Sequence, residues 1–200
     1  MRWLLYSLLI PGSIAASLSL AAADPAPLYR IDQRYGNVGF AITSLGMFTT
    51  EGRFDRFQGE LLLDADHPER THIDVSIDGS SVEMPIEDEV NMLRSAAYFD
   101  TARYPTERFV SSSIERLSPI HYVIHGTLQI RGVSQPQDLD AVMSEHHVDA
   151  ARHIEWADFV VTGQLRRSSF GMVADRTMVS DVVRLNIRIR LTVAAEPKSG

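Results

Sequence analysis

Cysteine is absent from all 200 residues. That excludes disulfides, thiol nucleophiles and Cys-based metal sites, so stability must come from the core alone. Positive charge is scarce: 19 Lys and Arg stand against 26 Asp and Glu, a formal charge of −7. Such an acidic chain is a poor match for nucleic acid and for electrostatic attachment to anionic lipid. After residue 23 no stretch reaches the ~20 apolar residues that a spanning helix needs. There is also no Gly-rich phosphate loop, no dinucleotide fingerprint and no Gly-x-Ser-x-Gly elbow. No cofactor, no metal and no catalytic residue is expected, and the chain reads as a non-enzyme.

The one long apolar run opens the chain: MRWLLYSLLIPGSIAASLSLAAA. A single early Arg, an apolar middle and Ala21-Ala22-Ala23 make residues 1–23 a signal peptide, cut before Asp24. The alternative is an uncleaved anchor, against which Pro11, Gly12 and the recurring serines interrupt the run. Cleavage removes Arg2 and takes the formal charge from −7 to −8. Residues 24–200 are then one exported domain, large enough for a sizeable core.

Within that domain the dominant signal is alternation of period two. Val38, Phe40 and Ile42 alternate with small residues. Ile73, Val75 and Ile77 oppose His72, Asp74, Ser76 and Asp78. Tyr122, Ile124, Leu128 and Ile130 share a face. Leu185, Ile187, Ile189, Leu191 and Val193 oppose Arg184, Asn186, Arg188 and Arg190. Alternation of this kind marks antiparallel strands with one dry and one wet face. Only two segments read as helix: Pro85–Phe99, with acids in its first turn, and a short one at Val173–Val179. Residues 134–154 read as an edge strand and a long loop. The pattern is all-β, and leaves a two-sheet sandwich or a closed barrel.

The stretch GMFTTEGRFDRFQGELLLD, Gly46–Asp64, favours the barrel. It reads as one long strand or a hairpin, with Gly52 and Gly59 inside it as bend points and Phe57, Leu61 and Leu63 on the face of Gly59. A turn at Thr49–Gly52 is the sandwich alternative.

In the order LGMFTTEGRFDRFQG, LRSAAYFDTARYPTERF and GTLQIRGVSQP, followed by SSFGM before the last strand, the chain resembles the YceI-like polyisoprenoid-binding family. The resemblance spans nearly all of residues 24–200. It implies an antiparallel lipocalin-like barrel with one or two short helices. It further implies export to the periplasm and an apolar lumen for a long-chain isoprenoid or fatty amphiphile. A transient membrane contact and a homodimer are compatible with that role. The ligand-binding candidates are Phe40, Ile42, Leu45, Phe48, Phe54, Phe57, Leu61, Leu93, Phe99, Phe109 and Leu128. For each, filling a core and lining a cavity remain alternatives. The chain departs from the family at Tyr35-Gly36, where a His-Ser pair is common, at Ser44 for a His, and at Gln135 for a basic residue, so head-group recognition is weakened or different.

Other polar groups carry blander readings. His121 and His125 share a strand face but stand ~13 Å apart, too far for one ion. His146, His147, Asp149 and His153 read as an exposed polar loop, and His67 and His72 as flanking a turn and facing water. Arg53, Arg56, Arg94 and Arg103 are candidates for meeting an anionic head, with a surface role as the simpler reading. Two rival functions stay open: a filled barrel acting as partner of a membrane redox protein, and a hydrolase built on Ser111–Ser113.

Overall fold

The computed structural model describes residues 28–62, 71–152 and 154–193. Residues 1–23, read from the sequence as a signal peptide, lie outside the described residues, as do Leu63, His67 and His153. The strands are β1 (Leu28–Ile31), β2 (Asn37–Ser44), β3 (Phe48–Phe54), β4 (Phe57–Leu62), β5 (His72–Asp78), β6 (Val82–Glu83), β7 (Thr106–Ser118), β8 (His121–Ile130), β9 (Val133–Asp149), β10 (Ile154–Arg166) and β11 (Val179–Val193), and the helix is α1 (Glu87–Arg94).

All pairings are antiparallel, in the order β1-β4-β5-β7-β8-β9-β10-β11-β2-β3-β6, and β1 also pairs with β11. The last pairing closes the sheet. β1 with β2, β3 with β4 and β5 with β6 are halves of kinked strands, so the barrel has eight walls. Closure removes the sheet edges. Along the edge that faces away from β10, β11 serves two neighbours: Val183–Arg188 pair with β2, and Leu191–Val193 with β1.

The alternating rows turn inward as expected. Val183, Leu185, Ile187 and Ile189 of β11 face the interior, while Arg184, Asn186 and Arg188 are exposed. Outside the wall, Arg190 pairs with Asp158 at 2.6 Å and lies over the rings of Trp156 and Tyr35, at 3.8 and 4.3 Å.

The kink between β3 and β4 falls at Asp55-Arg56, not at a glycine. It is held from the partner wall: Asp55 N–H donates to Ser81 O (3.2 Å), Arg56 N–H to Ser81 Oγ (3.1 Å) and Asp78 N–H to Arg56 O (2.9 Å). Thr49–Gly52 is strand rather than turn. Gly52 makes room instead of a bend. A Cβ there would sit 2.4 Å from both the Phe40 ring and Met84 Sδ, so its absence lets those side chains pack directly over the strand. Gly59 likewise stands against Ile31 and Val75.

Three further expectations change. Residues 134–154 are not a loop: β9 runs unbroken over Val133–Asp149. Val173–Val179 contains turns rather than helix, with Asp175 at a φ of 53°. The helix expected over Pro85–Phe99 is real only from Glu87 to Arg94. Its acids Glu87, Asp88 and Glu89 meet the helix N-terminal dipole. Ser95 stops it, its hydroxyl donating to Met92 O at 2.6 Å, and turns carry the chain back to β7.

A hollow lined by the inner faces of the walls

The inward rows do not meet. They enclose a cavity of about 230 Å³, lined by residues of nearly every wall and by α1. An engineered core void of ~150 Å³ with an aliphatic and aromatic lining stays dry and admits benzene. This hollow is larger and its lining is mostly aliphatic and aromatic, so an apolar guest gains by leaving water for it. The filled-barrel alternative is at odds with it. Packed clusters flank the space. On one side Phe54 contacts Phe40 and Phe99, with ring centroids 5.7 and 5.3 Å apart; on the other Phe109, Ile124, Leu128 and Leu139 pack together.

Of the candidate residues, Phe40, Ile42, Phe54, Phe57, Leu93, Phe99, Phe109 and Leu128 line this cavity. The structure places the other three elsewhere. Leu45 and Phe48 are exposed at the β2–β3 turn, because β2 ends at Ser44 and the chain reverses there. Leu61 is buried farther along β4, outside the lining.

The cavity opens at the end of the barrel that carries α1. Among the described lining residues Met92 alone is largely exposed, at 41%. Ser44, Thr50 and Val179 line the same end from strand termini. Beside the opening, α1 and its following turns form a cover. Tyr98 O–H donates to Asp175 at 2.7 Å, and burial with that bond pushes the phenol up to about 12. The Arg131 side chain donates to Ala96 O and Gly171 O, both at 3.1 Å, joining the two covering loops.

Polar groups missing from the sequence-based site also face the hollow. Glu107 is 2% exposed; its Oε2 accepts the Arg131 N–H at 3.1 Å, and Oε1 has no partner among the described residues. Burial pushes its carboxyl up to about 7, against the pull of the Arg131 N–H and charge. Arg167 is buried and donates to Ser180 O, Met172 O and Val179 O at 2.9–3.0 Å, so the loop between β10 and β11 wraps its guanidinium. The alternation signal could have found Glu107: it lies two residues before inward Phe109 on β7.

The remaining polar candidates lie outside the lumen. Arg53 pairs with Asp55 and Arg56 with Asp78; Arg103 lies over the Tyr104 ring. Arg94 Nη2 donates to Val82 O at 3.3 Å. His121 pairs with Asp140, His125 with Asp138 and His146 with Glu155, while His147 stacks on Trp156. These histidines stand on strands, not in a loop. Among the described residues no three of His, Asp and Glu converge as metal ligands. The Ser111 hydroxyl accepts the Ile73 N–H at 2.9 Å, and the Ser112 hydroxyl donates to His125 O at 3.2 Å. Both serve the sheet.

A family model described as the YceI-like domain matches residues 29–191. A UPF0312 protein of Shewanella baltica (strain OS195) is 28% identical over 193 residues, 94% of this chain and 96% of its own length. Among solved structures, BcnA of Burkholderia cenocepacia superposes with a TM-score of 0.70 at 22% identity, over 80% of this chain and 98% of its own. A polyisoprenoid binding domain from Saccharophagus degradans, implicated in plant cell wall breakdown, gives a TM-score of 0.62 at 15% identity, over 85% of this chain and 99% of its own. At those identities the two structures share the fold.

Proposed function

This chain belongs to the YceI-like domain family, and from that premise we propose that it is an exported, periplasmic carrier holding a long isoprenoid or similar amphiphilic chain in its lumen. The observation that carries this reading is the apolar hollow itself, open at one end beside Met92. Its mechanism is burial. Each methylene moved out of water contributes ~0.8 kcal/mol, and the ordering of a flexible chain limits the total. No catalytic step is required. Chain recognition dominates over head recognition, because Ser44, a small neutral side chain, stands at the opening, and because Arg53 and Arg56 are engaged by carboxylates. Loading and release include a transient contact with a membrane.

The test is native mass spectrometry of the full-length chain, expressed with its leader and purified from a periplasmic extract, with lipid extraction alongside. An apolar mass bound one to one is the expected result. A clean apo mass from such extracts, and no uptake of a fluorescent long-chain probe, would sink the carrier reading.

A further inference from the structure

The β2–β3 hairpin ends in Ser44-Leu45-Gly46-Met47-Phe48, a tip without a charge. Leu45 is 60% exposed, Met47 74% and Phe48 59%. Met178, 53% exposed, lies against this tip: its carbonyl accepts the Leu45 N–H at 2.7 Å. One apolar rim thus joins two loops that the chain separates by more than a hundred residues. It flanks the opening, since Ser44, Thr50 and Val179, the neighbours of these residues, line the cavity.

The turn geometry makes the tip harder to explain as accident. Leu45 has a φ of 51° and Gly46 a φ of 73°, and Met47 N–H returns to Ser44 O. Both central residues are therefore left-handed, which favours Asn, Asp or Gly at the first of them. A branched apolar side chain there is strained and gains nothing from burial.

We propose that this rim is a lipid-docking device: Leu45, Met47, Phe48 and Met178 insert into the apolar edge of a bilayer and bring the cavity's opening against it. This rests on the carrier reading, which supplies the reason for a lipid surface rather than a protein. A long hydrocarbon chain crossing water loses ~0.8 kcal/mol per exposed methylene, so exchange requires the opening to meet the phase in which the chain dissolves. Electrostatics is not the source of the contact. The formal charge is −7, and acids fill the first turn of α1 beside the opening. The docking is therefore apolar, indifferent to salt and not favoured by anionic lipid.

Flotation with phosphatidylcholine vesicles tests this. The protein expressed with its leader and purified from a periplasmic extract is compared with a Met47→Asp/Met178→Asp double variant and with Leu117→Ser/Ile120→Ser, both prepared alike, the second of which alters exposed residues at the opposite end of the barrel. The wild type and the opposite-end variant should float equally at low and high salt. The rim variant should partition about tenfold less and extract a pyrene-labelled long-chain alcohol from vesicles correspondingly more slowly. All three should take up the same alcohol from cyclodextrin in water. A wild type that stays in solution, a rim variant that floats like it, or equal loss in the opposite-end variant would overturn the docking. So would a dimer in solution that the rim substitutions dissolve, with no flotation of the wild type. Failed uptake from cyclodextrin by the wild type would overturn the carrier reading instead, while flotation still decides the rim.

Discussion

Glu107 offers the sharpest test of the interior, because its carboxyl is enclosed by the barrel yet bonded through one oxygen only. Burial raises it from 4.5 to about 7. A raised acid keeps its proton in the folded state over a range where the unfolded chain has already lost it. Stability therefore falls as pH rises from about 4.5 to about 7, and is level above that. The shift corresponds to about 3 kcal/mol. Glu107→Gln keeps an oxygen for the Arg131 N–H and removes the titration. Its amide N–H₂ adds a fixed offset, so the informative quantity is the change with pH. The stability of the variant relative to the wild type should increase by about 3 kcal/mol between pH 4.5 and pH 8. Urea unfolding of both proteins across that range measures it, and the difference cancels the titration of every other group. A relative stability that moves by less than ~1 kcal/mol would refute the reasoning, since Glu107 would then titrate alike folded and unfolded.

Phe57→Asp and Phe40→Asp each place a carboxylate in the lumen and should cost about 3 kcal/mol or more while lowering probe uptake; normal uptake in either variant would remove that residue from the lining. Gly126→Ala would put a Cβ 2.6 Å from Val110 O, main chain that cannot yield, and 2.5 Å from the Phe109 ring. It should destabilise by about 1–3 kcal/mol in thermal or urea melts. Arg131→Ala breaks the ties to Ala96 O and Gly171 O but leaves the bond to Glu107. Amide exchange should quicken in residues 95–100 and 168–178, with a global loss of about 1 kcal/mol; unchanged exchange would show the cover does not depend on this side chain.

The rows that alternate strongly were legible. Ile73, Val75 and Ile77, and Leu185, Ile187 and Ile189, face the hollow as their spacing implied. β9 was not, for a physical reason. Its inward residues include Gln137 and Ala141, buried but weakly apolar, and it carries Pro136, which ordinarily argues against a central strand. The β10–β11 loop was misread as helix because its shape is imposed by the Arg167 guanidinium, a tertiary tie that local pattern does not carry. Phe40, Phe54 and Phe57 could be chosen from their strand phase. Leu45 and Phe48 looked equivalent to them, and only the position of the turn separates rim from lumen. Glu107 shares the phase of Phe109 on β7, but a charged residue in an inward row carries no apolar signal of its own.

The seam that closes the barrel joins β11 to β1, with Tyr29 against Val193, Arg30 against Thr192 and Ile31 against Leu191, and to β2 along Val183–Arg188. Every other wall pairs with its neighbour in sequence, so hairpins can assemble one after another as the polypeptide emerges from synthesis. The seam cannot: its two sides are made at opposite times. Until the final strand arrives, a nearly finished barrel carries two open sheet edges, one along β1 and β2 and one at β10, each a template for pairing with another chain. Chains halted before residue 179 should accordingly be collected by holding chaperones or aggregate, whereas those released after residue 193 should not.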